Sequence, residues 1–86
     1  MKLDSAVKEL IAIGASITAN CQPCLHYHVS EARKAGAGEE AINEAVDVGK
    51  MVRSGAASKM NKYASELLQA SVPASNAPSE GCGCPP

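Results

Sequence analysis

The sequence predicts an all-α domain of two shorter helices followed by a long third one. Three observations point to it. Apolar residues recur at steps of three and four along three separate segments. Those segments are bounded by residues that start and stop helices, among them Asn20, Pro23, Gly36 and Gly38. No stretch alternates apolar and polar residues long enough to make a strand, and no internal repeat is visible.

The first helix is expected over residues 4–19. Leu3, Val7, Leu10, Gly14 and Ile17 fall on one face, while Ile11, Ile13 and Ala15 make other faces apolar too, which predicts extensive burial. Asn20 is a good N-cap, so a second helix is expected to open at Cys21. Pro23 then lies in its first turn, where a missing N–H costs little. This helix should run to about Lys34 and end at Ala35-Gly36-Ala37-Gly38.

Glu39 and Glu40 open the third helix, where acidic side chains complement the positive end of the helix dipole. Ile42, Ala45, Val46, Gly49, Val52, Ala56, Met60, Tyr63 and Leu67 form one apolar seam, with a kink or break expected at Ser54-Gly55. Asp47 and Lys50 stand at a helical pair spacing, and with Glu44 and Arg53 they are expected to form an exposed, ion-paired face. After Ala70 the composition changes. Residues 71–86 hold four of the five prolines together with serines and glycines, and are expected to form a flexible tail on a single domain of residues 1–70.

Aromatic residues make up 2% of the chain, Tyr27 and Tyr63, so Ala, Val, Ile, Leu and Met must build the core. Small domains bury a small fraction of their surface, and aromatic side chains normally supply the largest single burials. A lone core would be thin, and a homo-oligomer is the expected remedy. The formal net charge is -1 with lysines and arginines dispersed, which argues against a nucleic-acid partner and against an anionic-membrane anchor. No stretch approaches the roughly 20 apolar residues that span a bilayer. The apolar run Leu10–Ile13 is short for a secretory segment, and acidic Asp4 and Glu9 precede it. A cytoplasmic location is therefore expected. There thiols are kept reduced, so a close cysteine pair points to catalysis or metal binding before a structural crosslink.

Such a pair occurs in Asn20-Cys21-Gln22-Pro23-Cys24-Leu25-His26-Tyr27-His28. A C-x-x-C at a helix start suits reversible dithiol chemistry: free N–H groups and the dipole favour a thiolate at the first cysteine, and the second lies one turn on. His28 lies four residues after Cys24 and seven after Cys21, on their face, and can take or give a proton near neutral pH. His26 points elsewhere. Glu9, alone, is one acidic residue on a mostly apolar helix.

The stretch from Glu9 through Ala56 resembles the core of the carboxymuconolactone decarboxylase and AhpD-like alkylhydroperoxidase superfamily. The resemblance is carried by Glu9, Gly14-Ala15-Ser16, Asn20-Cys21-Gln22-Pro23-Cys24, His28 and Val48-Gly49-Lys50, with eleven residues between Glu9 and Cys21. It implies an all-α fold assembled as a trimer or hexamer. It implies attack on a peroxide by Cys24, disulfide closure by Cys21, and a proton relay through His28 and Glu9. It further implies a peroxide substrate or a peroxiredoxin or thiol-reductant protein partner. Pro23 stands where the alkylhydroperoxidase itself carries a second histidine. Helix-end electrostatics alone favours Cys21 as the more acidic thiol, so the sequence leaves the order of the two thiols open.

The expected function is thus a thiol-disulfide oxidoreductase that reduces hydroperoxides or exchanges disulfides with a partner protein, and it calls for no cofactor. Cys82 and Cys84 form a C-x-C in the tail. They read as a second, tethered dithiol, as ligands for a soft metal or metalloid, or as residues without a specific role. The alternatives are accordingly a metal- or metalloid-binding Cys/His module and a non-redox lactone decarboxylase, which would need a pocket for a carboxylated ring but not two cysteines.

Overall fold

In the computed structural model, which describes residues 1–71, the chain forms three helices: α1 (Ser5–Thr18), α2 (Gln22–Lys34) and α3 (Glu39–Ser71). The all-α expectation holds, and there is no strand among the described residues. By its contacts the chain divides into two units, residues 1–56 and residues from Ala57 onward. The first contains α1, α2 and the beginning of α3. The tail expected over 71–86, with Cys82 and Cys84, lies outside the described residues apart from Ser71.

Asp4 caps α1, its side chain accepting from the Val7 N–H at 2.9 Å. The helix ends in a Schellman turn: the Asn20 N–H donates to the Ile17 carbonyl at 3.1 Å and the Cys21 N–H to the Ser16 carbonyl at 3.0 Å. The residue that closes this turn must adopt a left-handed conformation, and it is Asn20, at φ 57°. Asn20 was expected to cap α2. That expectation is corrected: Asn is also among the few side chains that tolerate this region, and the N-cap role passes to Cys21. The end of α2 is built the same way, with Gly36 at φ 93° in the closing position and the Ala37 N–H donating to the Ala32 carbonyl at 2.9 Å.

With only a short turn between them, α1 and α2 pack together as a helical hairpin. Ile13, Ala32 and Ile42 are buried at its centre, one from each helix, with Leu10, Leu25, Val29, Ala37, Ala45 and Val46 packed around them. This core is small, and burial of α1 is less than expected: Ile13 and Ser16 alone are buried, while Val7 and Ile11 are exposed. Buried Ser16 is satisfied by donating to the Ala12 carbonyl at 2.8 Å.

The start of α3 crosses α1 closely at Gly49. A Cβ there would lie 2.6 Å from the Gly14 carbonyl oxygen and 2.7 Å from the Ile17 Cβ. Thr18 stitches the crossing, its hydroxyl reaching the Gly14 carbonyl at 2.9 Å and the Gly49 carbonyl at 3.3 Å. Only the first part of the α3 seam is covered. Ile42 and Gly49 are buried and Ala45 and Val46 half-buried, whereas Val52, Met60 and Tyr63 are exposed. The helix also runs without interruption from Glu39 to Ser71, so of the kink or break expected at Ser54-Gly55 the break is absent. An interior glycine costs a helix about 1 kcal/mol, which continued hydrogen bonding offsets.

Candidate active site

The turn between α1 and α2 carries the two cysteines. Cys21 and Cys24 form a disulfide, their Cα atoms 5.3 Å apart. Cys21 is the N-cap of α2, and its Sγ accepts from the Cys24 N–H at 3.3 Å. A sulfur in that position meets the unpaired donors and positive dipole end of the helix, which favours the thiolate once the disulfide is reduced. Cys21 is half-buried and Cys24 exposed. Pro23 sits in the first turn of α2, where no N–H is required of it.

One turn beyond Cys24, His28 turns toward α1, and its Nδ1 lies 2.7 Å from Glu9 Oε1. An ionised carboxylate can only accept a hydrogen bond, so Nδ1 carries the hydrogen and Nε2 is the nitrogen available for proton exchange. Both side chains are partly shielded, 29% exposed for His28 and 25% for Glu9. Tyr27 packs its ring edge-on to the imidazole, with centroids 5.1 Å apart. The hairpin therefore brings Glu9 of α1 into direct contact with His28, which lies one turn beyond Cys24 on α2. His26 is exposed and lines a shallow groove with Leu25, Val29 and Ser30 on another side of α2.

Two residues around the site carried no functional sign in the sequence: Tyr27, which packs against His28, and Arg53, which reaches Asn20 beside Cys21. Arg53 does not join an ion-paired face with Glu44 and Asp47, which corrects that expectation. Its Nη1 donates to the Ile17 carbonyl at 3.3 Å and to Asn20 Oδ1 at 2.9 Å. The C-terminal end of α1 offers bare carbonyls that attract a cation, and an exposed carboxylate pair offers little in competition. A polar residue at helical spacing from the buried Gly49 was the only available signal.

Among the described residues, no group of three or more His, Cys, Asp or Glu side chains is placed to hold a metal ion. No helix is long and apolar enough to cross a membrane, among those residues.

Comparison with known proteins fits this geometry. The carboxymuconolactone decarboxylase family matches residues 1–69, most of the chain. The chain belongs to the carboxymuconolactone decarboxylase family. It is also 42% identical over 55 residues to a protein described as "Uncharacterized protein 4 in cox locus" from Paracoccus denitrificans. That match covers 64% of this chain and 50% of the relative, so the chain spans about half the length of the curated relative it matches. No solved structure matches it. At Gly49 α3 can approach α1 only without a side chain.

Proposed function

We propose that this chain is a thiol-disulfide oxidoreductase of the AhpD-like type, cycling Cys21 and Cys24 between dithiol and disulfide. The observation that carries the proposal is the contact of Glu9 with His28, which shares α2 with Cys24. A C-x-x-C alone suits metal binding or structure equally well. A carboxylate-oriented histidine one turn from an exposed cysteine adds the proton transfer that redox chemistry needs.

With a hydroperoxide, the Cys24 thiolate attacks the terminal oxygen. An S–O bond forms, the O–O bond breaks, and the departing alkoxide takes a proton supplied through His28, held in its tautomer by Glu9. Cys24 is then a sulfenic acid. The Cys21 thiolate attacks its sulfur, the S–S bond forms, and hydroxide leaves with a proton as water. Two thiols have been oxidised and the peroxide reduced to an alcohol and water. An external dithiol returns the electrons by exchange through a mixed disulfide. Disulfide exchange with a partner protein uses the same two sulfurs. Exposed apolar side chains on α1 and α3, among them Ile11 at 57% and Met51 at 68% exposure, support self-association into a trimer or hexamer. The composition supports a cytoplasmic setting.

The test is a thiol count on the purified full chain, before and after a small excess of organic hydroperoxide, beside a Cys24→Ser variant and a metal assay. Rapid loss of two thiols, restored by a dithiol reductant and absent in the variant, is the expected result. Unreactive thiols with stoichiometric bound metal would overturn the redox reading in favour of a metal module.

A further inference from the structure

α1 and α2 end in the same backbone turn, yet different residues close it. At the end of α2 the left-handed position is taken by Gly36, at φ 93°, with no side chain to strain. At the end of α1 it is taken by Asn20, at φ 57°. An L side chain is disfavoured in this region, and glycine would serve the backbone better. What Asn20 adds over glycine is Oδ1, which accepts from Arg53 Nη1 at 2.9 Å. The same nitrogen donates to the Ile17 carbonyl at 3.3 Å, so one guanidinium spans the end of α1 and the residue directly before Cys21.

Asn20 decides where Cys21 points. The left-handed residue turns the chain so that the Cys21 N–H folds back to the Ser16 carbonyl and its side chain becomes the N-cap of α2. Arg53 has no carboxylate partner among the described residues; both of its acceptors are neutral oxygens. Its charge therefore remains uncancelled beside the cysteine turn. The guanidinium ties the end of α1 to Asn20 and so leaves a cation in contact with the residue directly before the cysteine that caps α2.

We infer that Arg53, acting through Asn20, is a positioning residue that sets the redox poise of the Cys21–Cys24 pair. The inference rests on the dithiol reading. A cation near Cys21 stabilises the thiolate and hence the reduced form, which makes the disulfide more oxidising. Without it the equilibrium moves toward the disulfide and the reduced Cys21 reacts more slowly.

The test uses the full chain as Arg53→Gln, Arg53→Lys and Asn20→Gly. Each is equilibrated with glutathione redox buffers near neutral pH, and each reduced form is alkylated with iodoacetamide, with Cys21 modification followed by peptide mapping. For Arg53→Gln, which keeps a donor and loses the charge, the equilibrium should shift about tenfold toward the disulfide, equivalent to about 30 mV. Cys21 alkylation should slow about fivefold. Arg53→Lys should restore most of both. Asn20→Gly keeps the turn but releases Arg53, and should shift both readouts in the same direction by less. A purely structural role for Arg53 would change helicity or melting and leave poise and alkylation alone. If native chain cycles and Arg53→Gln matches it in both readouts, the inference fails while the redox proposal stands. If Arg53→Gln does not fold, Asn20→Gly decides: native poise and native Cys21 reactivity there overturn the inference. If native chain does not cycle at all, the redox proposal itself has failed.

Discussion

His28 Nδ1 and Glu9 Oε1 stand 2.7 Å apart although 19 positions separate them in the chain. The short α1–α2 turn makes this contact, because it folds the first half of α1 back along the middle of α2. An ionised carboxylate at that distance accepts from Nδ1 and leaves Nε2 as the nitrogen for the proton transfer proposed above.

Glu9→Gln keeps the volume and one hydrogen-bonding oxygen but removes the charge that holds His28 in this role. Peroxide-driven loss of the Cys21 and Cys24 thiols should slow by about tenfold to a hundredfold, since a positioned acid–base group typically contributes about 10²–10⁴-fold. His28→Asn should slow it at least as much. Rapid-mixing measurement of thiol loss, with melting temperature as the control for folding, checks both. Native rates in both variants would remove the relay from the mechanism.

Beside the chemical role proposed for it, Cys21 has a structural one, and the two are separable. Its Sγ caps α2 by accepting from the Cys24 N–H at 3.3 Å. Serine is a good N-cap, so Cys21→Ser should abolish reversible oxidation and leave the stability of the reduced protein nearly unchanged. Cys21→Ala removes the acceptor and should cost about 1 kcal/mol more than the serine variant. Urea denaturation under reducing conditions measures the difference. Equal midpoints for the two variants would mean that the cap contributes nothing.

The helices and the site read differently from sequence for reasons that lie in particular residues. Apolar periodicity locates α1, α2 and α3 because it reports a local property, the side chain's direction around a helix. It does not report which face finds a partner. The seam of α3 is continuous in the sequence, yet Ile42 is buried and Met60 is 64% exposed. Asn20 was misplaced by one structural role because capping a helix and closing the one before it favour the same residue type. Glu9 is ambiguous by itself; the family resemblance singled it out by its spacing to Cys21, and the hairpin sets it against His28. Arg53 carried no site signal, since its acceptors are a backbone carbonyl and an amide brought together only by the fold.

Gly49 and Gly55 lie on the same helix and should respond oppositely to alanine. A Cβ on Gly49 would meet the Gly14 carbonyl oxygen at 2.6 Å, and backbone cannot swing aside as a flexible side chain can. Gly49→Ala must push α1 and α3 apart, at a cost of about 1–3 kcal/mol, and loosen the Thr18 bond to the Gly49 carbonyl. A Cβ on Gly55 meets nothing within 4 Å. Gly55→Ala should therefore gain about 0.5–1 kcal/mol from helix propensity. Thermal melts of the two variants test the contrast, and a stabilised Gly49→Ala would refute the close crossing.

The turn between α2 and α3 is bridged by Arg33 and Glu39, with Nε to Oε2 at 2.7 Å and Nη2 to Oε1 at 2.9 Å. The hydrogen bonds from Arg33 hold the Glu39 carboxyl below its ordinary range, and its charge acts in the same direction. Arg33 is raised by the same contact and stays protonated throughout. A carboxylate with a lowered value in the folded state contributes stability that is present above its unfolded value and lost as pH falls through the folded one. The bridge should therefore contribute near neutral pH and fade in the acid range, below about pH 4. Both side chains are exposed, so the effect is small and should shrink further with salt. Arg33→Gln should lower the urea midpoint slightly near neutral pH and match the native chain at about pH 2–3. A difference that persists unchanged into acid would mean that Arg33 acts through packing of its side chain, with no part played by the Glu39 charge.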